Sequence, residues 1–213
     1  RNIVYVGKTA DTQRLPIPID GASVSLTDEL SNTFYFYPNV NKPGEYLFSG
    51  FSGKTGSLYQ LNVILPNGET YQSTPERMPK NSGNISTNHT IIEENIIDKE
   101  GVSSRQNFLK IFASSLLPDI TEDLYLRWTV EEVFAIVPTD FPDIMGSIPP
   151  PCYVYQNADP QRVSLFNGEE NGAKLLTENL IASRLIDYSF FDRHYFTSYQ
   201  SSMTKEAYAY WNK

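Results

Sequence analysis

In one stretch of the chain, LYLRWTVEEVFAIV at residues 124–137, apolar and polar residues alternate from Leu124 to Glu131. Successive side chains of a strand point to opposite faces, so this period of two predicts a half-buried β-strand. Its apolar face consists of Leu124, Leu126, Trp128 and Val130, and its other face consists of Tyr125, Arg127, Thr129 and Glu131. We expect Trp128 to be a core residue, because a large ring on the apolar face of a strand is normally buried.

The N-terminal third repeats this pattern in shorter pieces separated by turn residues. Val24 lies in an alternating stretch, residues 34–37 are aromatic, and Pro43–Gly44 is a turn ahead of the next strand candidate. The pair Asn67–Gly68 is the strongest hairpin signal, since both central residues of a type I′ turn need positive φ. Short strands punctuated in this way predict a small β-sandwich over residues 1–79.

The next segment, residues 80–90, is polar and without apolar periodicity, which is typical of a surface linker. We expect a second β-rich domain at residues 91–213. Its strand candidates are residues 91–97, 108–113 and 124–137, the stretches CYVYQ and RVSLF, and one or two strands between residues 176 and 200. NGEENG is predicted to be a turn. The proline-rich segment 138–151 is predicted to be a loop, because proline removes ladder donors.

The last residues, SSMTKEAYAYWNK, predict a short helix. Thr204 can cap its first turn, and Glu206 complements the positive end of the helix dipole. Met203 and Tyr208 have the spacing of a hydrophobic staple, and Tyr208 and Trp211 share one face. A helix this short is marginal in water, so we expect its aromatic residues to dock on another part of the protein.

Charge and hydropathy exclude two classes of function. The 213 residues carry a formal net charge of −8, and no basic stripe is visible, which argues against a nucleic-acid partner. The apolar runs of the chain are far too short to span a bilayer. Because Arg1 opens the chain without a signal peptide, we expect any export signal to lie outside this sequence.

Residues for nucleophilic catalysis are scarce. The chain contains two histidines, His89 and His194, and one cysteine, Cys152. Because His89 lies in the predicted linker, Cys152 with His194 is the only pair worth considering as a nucleophile and its base. The simpler interpretation is that Cys152 is a small buried residue and that His194 is a strand residue hydrogen-bonded to a neighbour. We therefore predict no catalytic residue.

Acidic and glycine-rich motifs give no cofactor or metal site either. NGEENGAKLL lacks the spacing of a phosphate-binding loop. Asp140 with Asp143, and Glu169 with Glu170, could touch Ca²⁺, but neither pair belongs to an alternating acidic loop with a following glutamate. Two histidines without a cysteine cluster make no zinc site. We predict neither cofactor nor metal.

Two long stretches resemble one known family. The run from PIDGASVSLTDEL to STPERMP is similar to the transthyretin-like or immunoglobulin-like opening of a Bacteroidetes cell-envelope lipoprotein family, the domain of unknown function 4249 type. The run from CYVYQ to the C-terminus resembles the second half of that family, including its aromatic helix, and LYLRWTVEEV fits its aromatic–Arg–Trp strand. The resemblance implies a transthyretin-like or immunoglobulin-like β-sandwich, a second β-rich domain and a short C-terminal helix.

The same resemblance implies a cellular role. Members of this family are outer-membrane lipoproteins, often encoded beside a TonB-dependent transporter of the starch-utilisation type, and they offer no catalytic residues to transfer. We accordingly expect a non-enzymatic accessory or binding module of such a transport complex, anchored through an N-terminal lipid outside this chain, on the cell surface or the periplasmic face.

Two alternatives remain open at this level. The first is a carbohydrate-binding or adhesive surface module, in which Tyr125, Tyr153 or Tyr155 faces solvent and stacks on sugars. The second is a hydrolase that uses Cys152 and His194.

Overall fold

The computed structural model describes residues 2–9, 16–80, 83–97, 99–117, 124–136, 150–171 and 175–213. The fold is mainly β, with several sheets and a short C-terminal helix, which confirms the predicted fold class. The chain divides into two compact units, one that ends at Lys80 and one from residue 81 to Lys213.

The first unit contains one curled sheet of seven strands and a separate two-stranded ribbon. Its strands are β1 Asn2–Tyr5, β2 Gly7–Lys8, β3 Ile17–Pro18, β4 Ser23–Asp28, β5 Thr33–Pro38, β6 Glu45–Phe48, β7 Leu58–Ile64, β8 Thr70–Gln72 and β9 Glu76–Arg77. The sheet order is β1-β6-β5-β4-β7-β8, with β9 also on β7, and β2 pairs with β3. The first part of β5, residues 33–36, pairs with β4, and its last two residues, Tyr37 and Pro38, pair with β6. The sheet therefore continues from β4 to β6 through different parts of this strand.

Apolar residues on the inside of this curl form the core of the first unit. Val24, Phe36 and Tyr46 are buried at its centre. The Tyr46 hydroxyl donates to the Ile19 carbonyl at 3.0 Å and accepts from the Ala22 amide at 2.8 Å, so its polar atom is satisfied inside the core.

Both predicted turns of this unit form, one of them with a different geometry. Gly44 has φ +75°, and a Cβ there would lie 2.7 Å from the Val6 carbonyl oxygen, so only glycine fits. The β7–β8 hairpin is confirmed, but its loop is not a two-residue type I′ turn. The Leu65 amide donates to the Glu69 carbonyl, which leaves three loop residues, and Gly68 alone adopts positive φ.

The second unit contains two sheets that share one core. Its strands are β10 Ile85–Ile97, β11 Ser103–Leu116, β12 Tyr125–Ile136, β13 Cys152–Asn157, β14 Ser164–Asn167, β15 Leu175–Leu185 and β16 His194–Met203. Its helices are α1 Gly168–Asn171, a 3-10 helix Tyr188–Phe190 and α2 Lys205–Trp211. One sheet has the order β10-β11-β15, and in the other β12 pairs with β13, β14 and β16.

The predicted strand at residues 124–137 is β12, at the centre of the second sheet. Leu126, Trp128 and Val130 are buried in the core with Ile111 and Ala182 of the other sheet, so the assignment of Trp128 to the core is confirmed. The Trp128 indole N–H donates to Gln200 Oε1 at 2.8 Å.

Two local predictions for the second unit are corrected, and a third lies mostly outside the described residues. Residues 85–90, expected in the linker, are the start of β10, which pairs with β11 along its whole length. Most of β10 is exposed on both faces, so its sequence shows no apolar alternation. NGEENG contains the single helical turn α1, whose Glu169 amide is held by Asn167 Oδ1 at 3.0 Å. Most of the proline-rich segment, with Asp140 and Asp143, lies outside the described residues.

Candidate functional site

The sheet around β12 has one face on the core and one outer face, and four tyrosines stand on the outer face. Tyr153 and Tyr155 lie on β13, and Tyr195 and Tyr199 lie on β16. In the ladder, Val133 is opposite Tyr155 on one side and Tyr195 on the other. The four rings are 47–75% exposed, and none of the ring contacts in the described part of the chain involves them. We call these four residues the tyrosine face.

A cleft of about 380 Å³ opens on this face between β12 and β13. Its lining residues are Thr129, Glu131, Glu132, Val133, Tyr155, Gln156 and Asn157. Because alternate residues share a face, the side chains of Thr129, Glu131 and Val133 form the floor, and Tyr155 and Asn157 form the wall. Glu132 contributes backbone only, since its side chain is fully buried on the opposite side.

Two polar side chains in the cleft keep free hydrogen-bonding capacity. Glu131 and Asn157 are directly opposite each other in the ladder. Tyr199 donates to Glu131 Oε2 at 3.2 Å, and this hydrogen bond and the carboxylate charge raise the pKa of Tyr199. Asn157 Oδ1 accepts from the Asp159 amide at 2.9 Å. Within the described residues, Glu131 Oε1 and the Asn157 amide N–H groups have no partner.

The other end of the outer face is covered by α2. The rings of Tyr125 and Tyr208 lie 5.1 Å apart, and the Arg127 guanidinium lies 3.7 Å from the centre of the Trp211 ring. Thr204 caps the helix, as predicted, by accepting from the Ala207 amide at 3.2 Å. The prediction that Tyr208 and Trp211 dock the helix is therefore confirmed, and they do so on β12.

An ion pair between Lys205 and Glu169 holds the first turn of this helix in place. Lys205 Nζ lies 2.9 Å from Glu169 Oε2, and the Tyr125 hydroxyl donates to Glu169 Oε1 at 2.5 Å. Burial raises the pKa of Tyr125 most strongly, and the hydrogen bond to Glu169 raises it further. The hydrogen bonds from Tyr125 and then from Lys205 lower the pKa of Glu169. Glu169 thus has a structural partner on each side.

Directly behind the cleft, a carboxylate is buried in the core. The side chain of Glu132 is 0% exposed, and its two oxygens accept from Arg184 Nε at 3.0 and 2.9 Å. Gln156 donates to Oε1 at 2.5 Å, and His194 Nε2 lies 2.9 Å from Oε2. The carboxylate is therefore saturated with donors, as a buried charge must be.

The far side of Arg184 is held by a second acidic residue. Its Nη1 lies 3.2 Å from Asp187 Oδ2, and its Nη2 donates to the Ser189 hydroxyl at 3.1 Å. Burial acts most strongly and lowers the pKa of Arg184, but Glu132 and then Asp187 raise it above its ordinary value. Burial likewise acts to raise the pKa of Asp187, but hydrogen bonds from Ser189 and then Arg184 bring it below its ordinary value.

His194 belongs to this buried network. Its side chain is 6% exposed, and its ring stacks on Phe196 at 4.5 Å and lies 4.2 Å from Phe190. The Nδ1 atom has no hydrogen-bond partner among the described residues. The interpretation of His194 as a strand residue bonded to a neighbour is confirmed.

Cys152 and His194 are not brought together. Cys152 pairs with Ile136 on one side of β12, and His194 pairs with Phe134 on the other. Two strand intervals of about 4.8 Å and an offset of two residues separate the two backbones, beyond hydrogen-bonding reach. The expectation that Cys152 is buried is wrong, because β13 begins where the sheet runs past its core and the thiol is exposed.

The remaining candidate residues lie apart from the cleft. His89 is in β10. Tyr125 was expected to face solvent, but α2 and Tyr208 bury it, so it cannot stack on a ligand. Among the described residues, no group of three or more His, Cys, Asp or Glu side chains is arranged to hold a metal ion. Within the same residues, no helix has the length and apolar character needed to cross a membrane.

Sequence reasoning missed Glu132, Arg184, Tyr195 and Tyr199. The signal for Glu132 was present, because its even number places it on the apolar face of β12 with Trp128 and Val130. A charge at such a position requires a buried partner. Nothing local in the sequence identifies Arg184 as that partner, since the contact spans two sheets.

Comparison with known proteins identifies the family. The family model described as "Domain of unknown function (DUF4249)" matches residues 2–213. No curated protein matches the chain. No solved structure matches it either. The chain belongs to the DUF4249 family, in agreement with the resemblance seen in its sequence.

Proposed function

We propose that this member of the DUF4249 family is a non-enzymatic binding module of an outer-membrane lipoprotein, and that it serves as an accessory of a TonB-dependent transport complex of the starch-utilisation type. The envelope and transport parts of the proposal rest on the sequence resemblance. The binding part is supported by one structural observation, the tyrosine face with its cleft on the open half of the second sheet.

Surface chemistry supports binding at this face. An isolated exposed apolar residue on a protein surface is ordinary, but clustered exposed tyrosines are typical of recognition surfaces because their rings bury large areas at low entropic cost. Four of them stand on the two strands that flank β12 in one sheet, so their backbone positions are fixed before any ligand arrives.

The arrangement of the other reactive side chains favours binding over hydrolysis. A cysteine nucleophile needs a base within hydrogen-bonding reach, and His194 is instead enclosed by Phe196 and Phe190 and bonded to Glu132. The buried carboxylate network instead supports the sheet behind the cleft. Its members are engaged with one another rather than with solvent.

Localisation and partner can be tested together in cells. The full-length protein carrying an affinity tag is expressed in its native host, the envelope is fractionated, and complexes are captured after formaldehyde crosslinking. We expect the protein in the outer-membrane fraction, released only by detergent because of a lipid anchor outside this chain. We also expect a TonB-dependent transporter, identified by its plug and barrel peptides, among the crosslinked proteins.

The outcome that contradicts the proposal is equally definite. Recovery in the cytosol or the inner membrane excludes the localisation, and crosslinked complexes without a transporter exclude the accessory role. A control with Tyr155→Ala separates ligand binding from assembly: this variant should still recover the transporter, because the proposal assigns the tyrosine face to ligand capture.

A further inference from the structure

We propose that the cleft beside Tyr155 binds a neutral saccharide, with a sugar ring stacked on the Tyr155 ring and sugar hydroxyls bonded to Glu131 and Asn157. This inference rests on the proposed function, since it names the ligand class of the same surface. It assigns a site to the carbohydrate-binding alternative and moves that site away from Tyr125.

The ring of Tyr155 offers an open aromatic face. It is 75% exposed, and no other ring packs on it within the described residues. The face of an aromatic ring carries partial negative charge, and the C–H groups on one side of a sugar ring carry partial positive charge, so the two flat surfaces attract. Val133, opposite Tyr155 in the ladder, extends the apolar platform under the ligand.

The polar groups of the cleft match sugar hydroxyls. A hydroxyl both donates and accepts, so two neighbouring hydroxyls are satisfied by one acceptor and one donor. Glu131 Oε1 supplies the acceptor, and the Asn157 amide N–H groups supply the donor, on residues directly opposite each other. The other atoms of these two groups are already fixed by Tyr199 and by the Asp159 amide, which holds both side chains in place.

The charge of the lining selects a neutral ligand. No lysine, arginine or histidine is among the described residues that line the cleft, and Glu131 would repel phosphate, sulfate or carboxylate groups. A cation would meet the carboxylate, but it would also meet the Asn157 N–H donors and a single ring instead of an enclosing set of rings. A cleft of about 380 Å³ lies within the range of small-molecule sites.

Further tyrosines indicate room for more than one sugar unit. Tyr153 lies two residues from Tyr155 on the same strand, a distance of about 7 Å along the sheet. Tyr195 stands on the opposite side of Val133. Both rings are exposed, so an oligosaccharide that leaves the cleft continues over additional aromatic surface. We therefore expect longer chains to bind more tightly than the corresponding disaccharides.

Isothermal titration calorimetry on the full chain tests the site. The probes are maltohexaose, cellohexaose, xylohexaose and mannohexaose, each at millimolar concentration. We expect at least one to bind, and we expect Tyr155→Ala to weaken that binding about tenfold or more, the equivalent of one good stacking contact. Tyr155→Phe should retain binding because it keeps the ring. Tyr35→Ala, which removes another exposed tyrosine, this one in the first unit, should have no effect.

Failure of the saccharide site is distinguishable from failure of the proposed function. If none of the four probes binds, or if Tyr155→Ala binds as tightly as the wild type, the saccharide assignment is wrong. Transporter recovery is measured on the same variants. Recovery without sugar binding leaves the accessory role standing, and a loss of recovery in Tyr155→Ala together with no sugar binding would make the face a protein interface.

Discussion

Substitution of the buried Glu132 should lower the stability of the second unit more than most single substitutions do. Glu132→Ala leaves the Arg184 guanidinium without its main partner inside the core, because Asp187 contacts only its outer side. Breaking a buried ion pair by removing one member typically costs about 3–5 kcal/mol. We expect a loss of unfolding free energy of this size, measured by urea denaturation at neutral pH.

Glu131→Ala is the matched control for this prediction. It removes the same carboxylate from the neighbouring position of the same strand, where the side chain is exposed. Surface substitutions usually change stability by less than about 0.5 kcal/mol. Equal effects of the two substitutions would show that the network around Arg184 does not stabilise the fold.

Asp187 stabilises the second unit in a way that depends on pH and is lost in acid. Burial acts to raise its pKa, but the hydrogen bonds from Ser189 and Arg184 outweigh this effect and hold the pKa below the ordinary value of 3.8. The unfolded chain therefore takes up the proton first as the pH falls. The stabilisation is complete above the ordinary value and disappears as the pH falls through the lower folded value.

Asp187→Asn should flatten this dependence. We expect the wild type to lose stability more steeply than the variant below about pH 4, in urea denaturation midpoints measured at successive pH values. Asp192→Asn changes an exposed aspartate nearby and should follow the wild-type curve. A wild-type curve no steeper than that of Asp187→Asn would mean that the contact with Arg184 contributes no pH-dependent stability.

At the scale of elements, α2 packs on β12 through two ring contacts, in addition to the ion pair between Lys205 and Glu169. The energy of the contact between Arg127 and Trp211 can be measured separately. The Arg127 guanidinium lies 3.7 Å from the centre of the Trp211 ring, and Trp211 is 39% exposed, so its substitution opens no large cavity. A cation–π pair is worth about 0.5–2 kcal/mol, depending on solvent exposure. A double-mutant cycle with Arg127→Ala and Trp211→Ala should give a coupling energy in this range.

The cap of the same helix provides an internal comparison. Thr204→Ala removes the hydrogen bond to the Ala207 amide and should cost about 1 kcal/mol. It should leave the coupling between Arg127 and Trp211 unchanged, since a capping oxygen does not contact either side chain. Zero coupling in the cycle would mean that the guanidinium lies over the ring without stabilising the helix.

Predictability from sequence differs among the elements for a physical reason. The burial of Trp128 in β12 and the cap at Thr204 follow from periodicity and local hydrogen bonding, which act within a few residues. The polar start of β10 carries no such signal, because a strand exposed on both faces needs no alternation. Its position follows from backbone pairing with β11, which a local pattern does not encode.

The candidate site was predictable only in part for the same reason. Tyr153 and Tyr155 were predicted to face solvent in the carbohydrate-binding alternative, and both are exposed. Tyr195 belongs to the same face only because β16 pairs with β12 in one register, and a shift of one residue would place it on the core side. Tyr125 was predicted to face solvent because it lies on the polar face of the alternating strand, but it is buried. Its burial is a tertiary effect, since α2 packs over this position through Tyr208.

At the scale of the whole molecule, each unit has a core of its own. Val24, Phe36 and Tyr46 centre the first unit, and a larger cluster that includes Trp128 centres the second. Both tryptophans of the chain, Trp128 and Trp211, belong to the second unit. Tryptophan fluorescence therefore reports the unfolding of that unit, and calorimetry reports both.

We expect these two measurements to separate the units. Tyr46→Phe removes the hydroxyl that bridges the Ile19 carbonyl and the Ala22 amide, and it leaves both groups unsatisfied at a cost of about 1–3 kcal/mol. It should lower a calorimetric transition that tryptophan fluorescence does not detect, while the fluorescence midpoint stays at the wild-type temperature. Glu132→Ala should do the reverse and lower the fluorescence midpoint. If both substitutions move the calorimetric and fluorescence midpoints together, the chain unfolds as one cooperative body and the two cores are not independent.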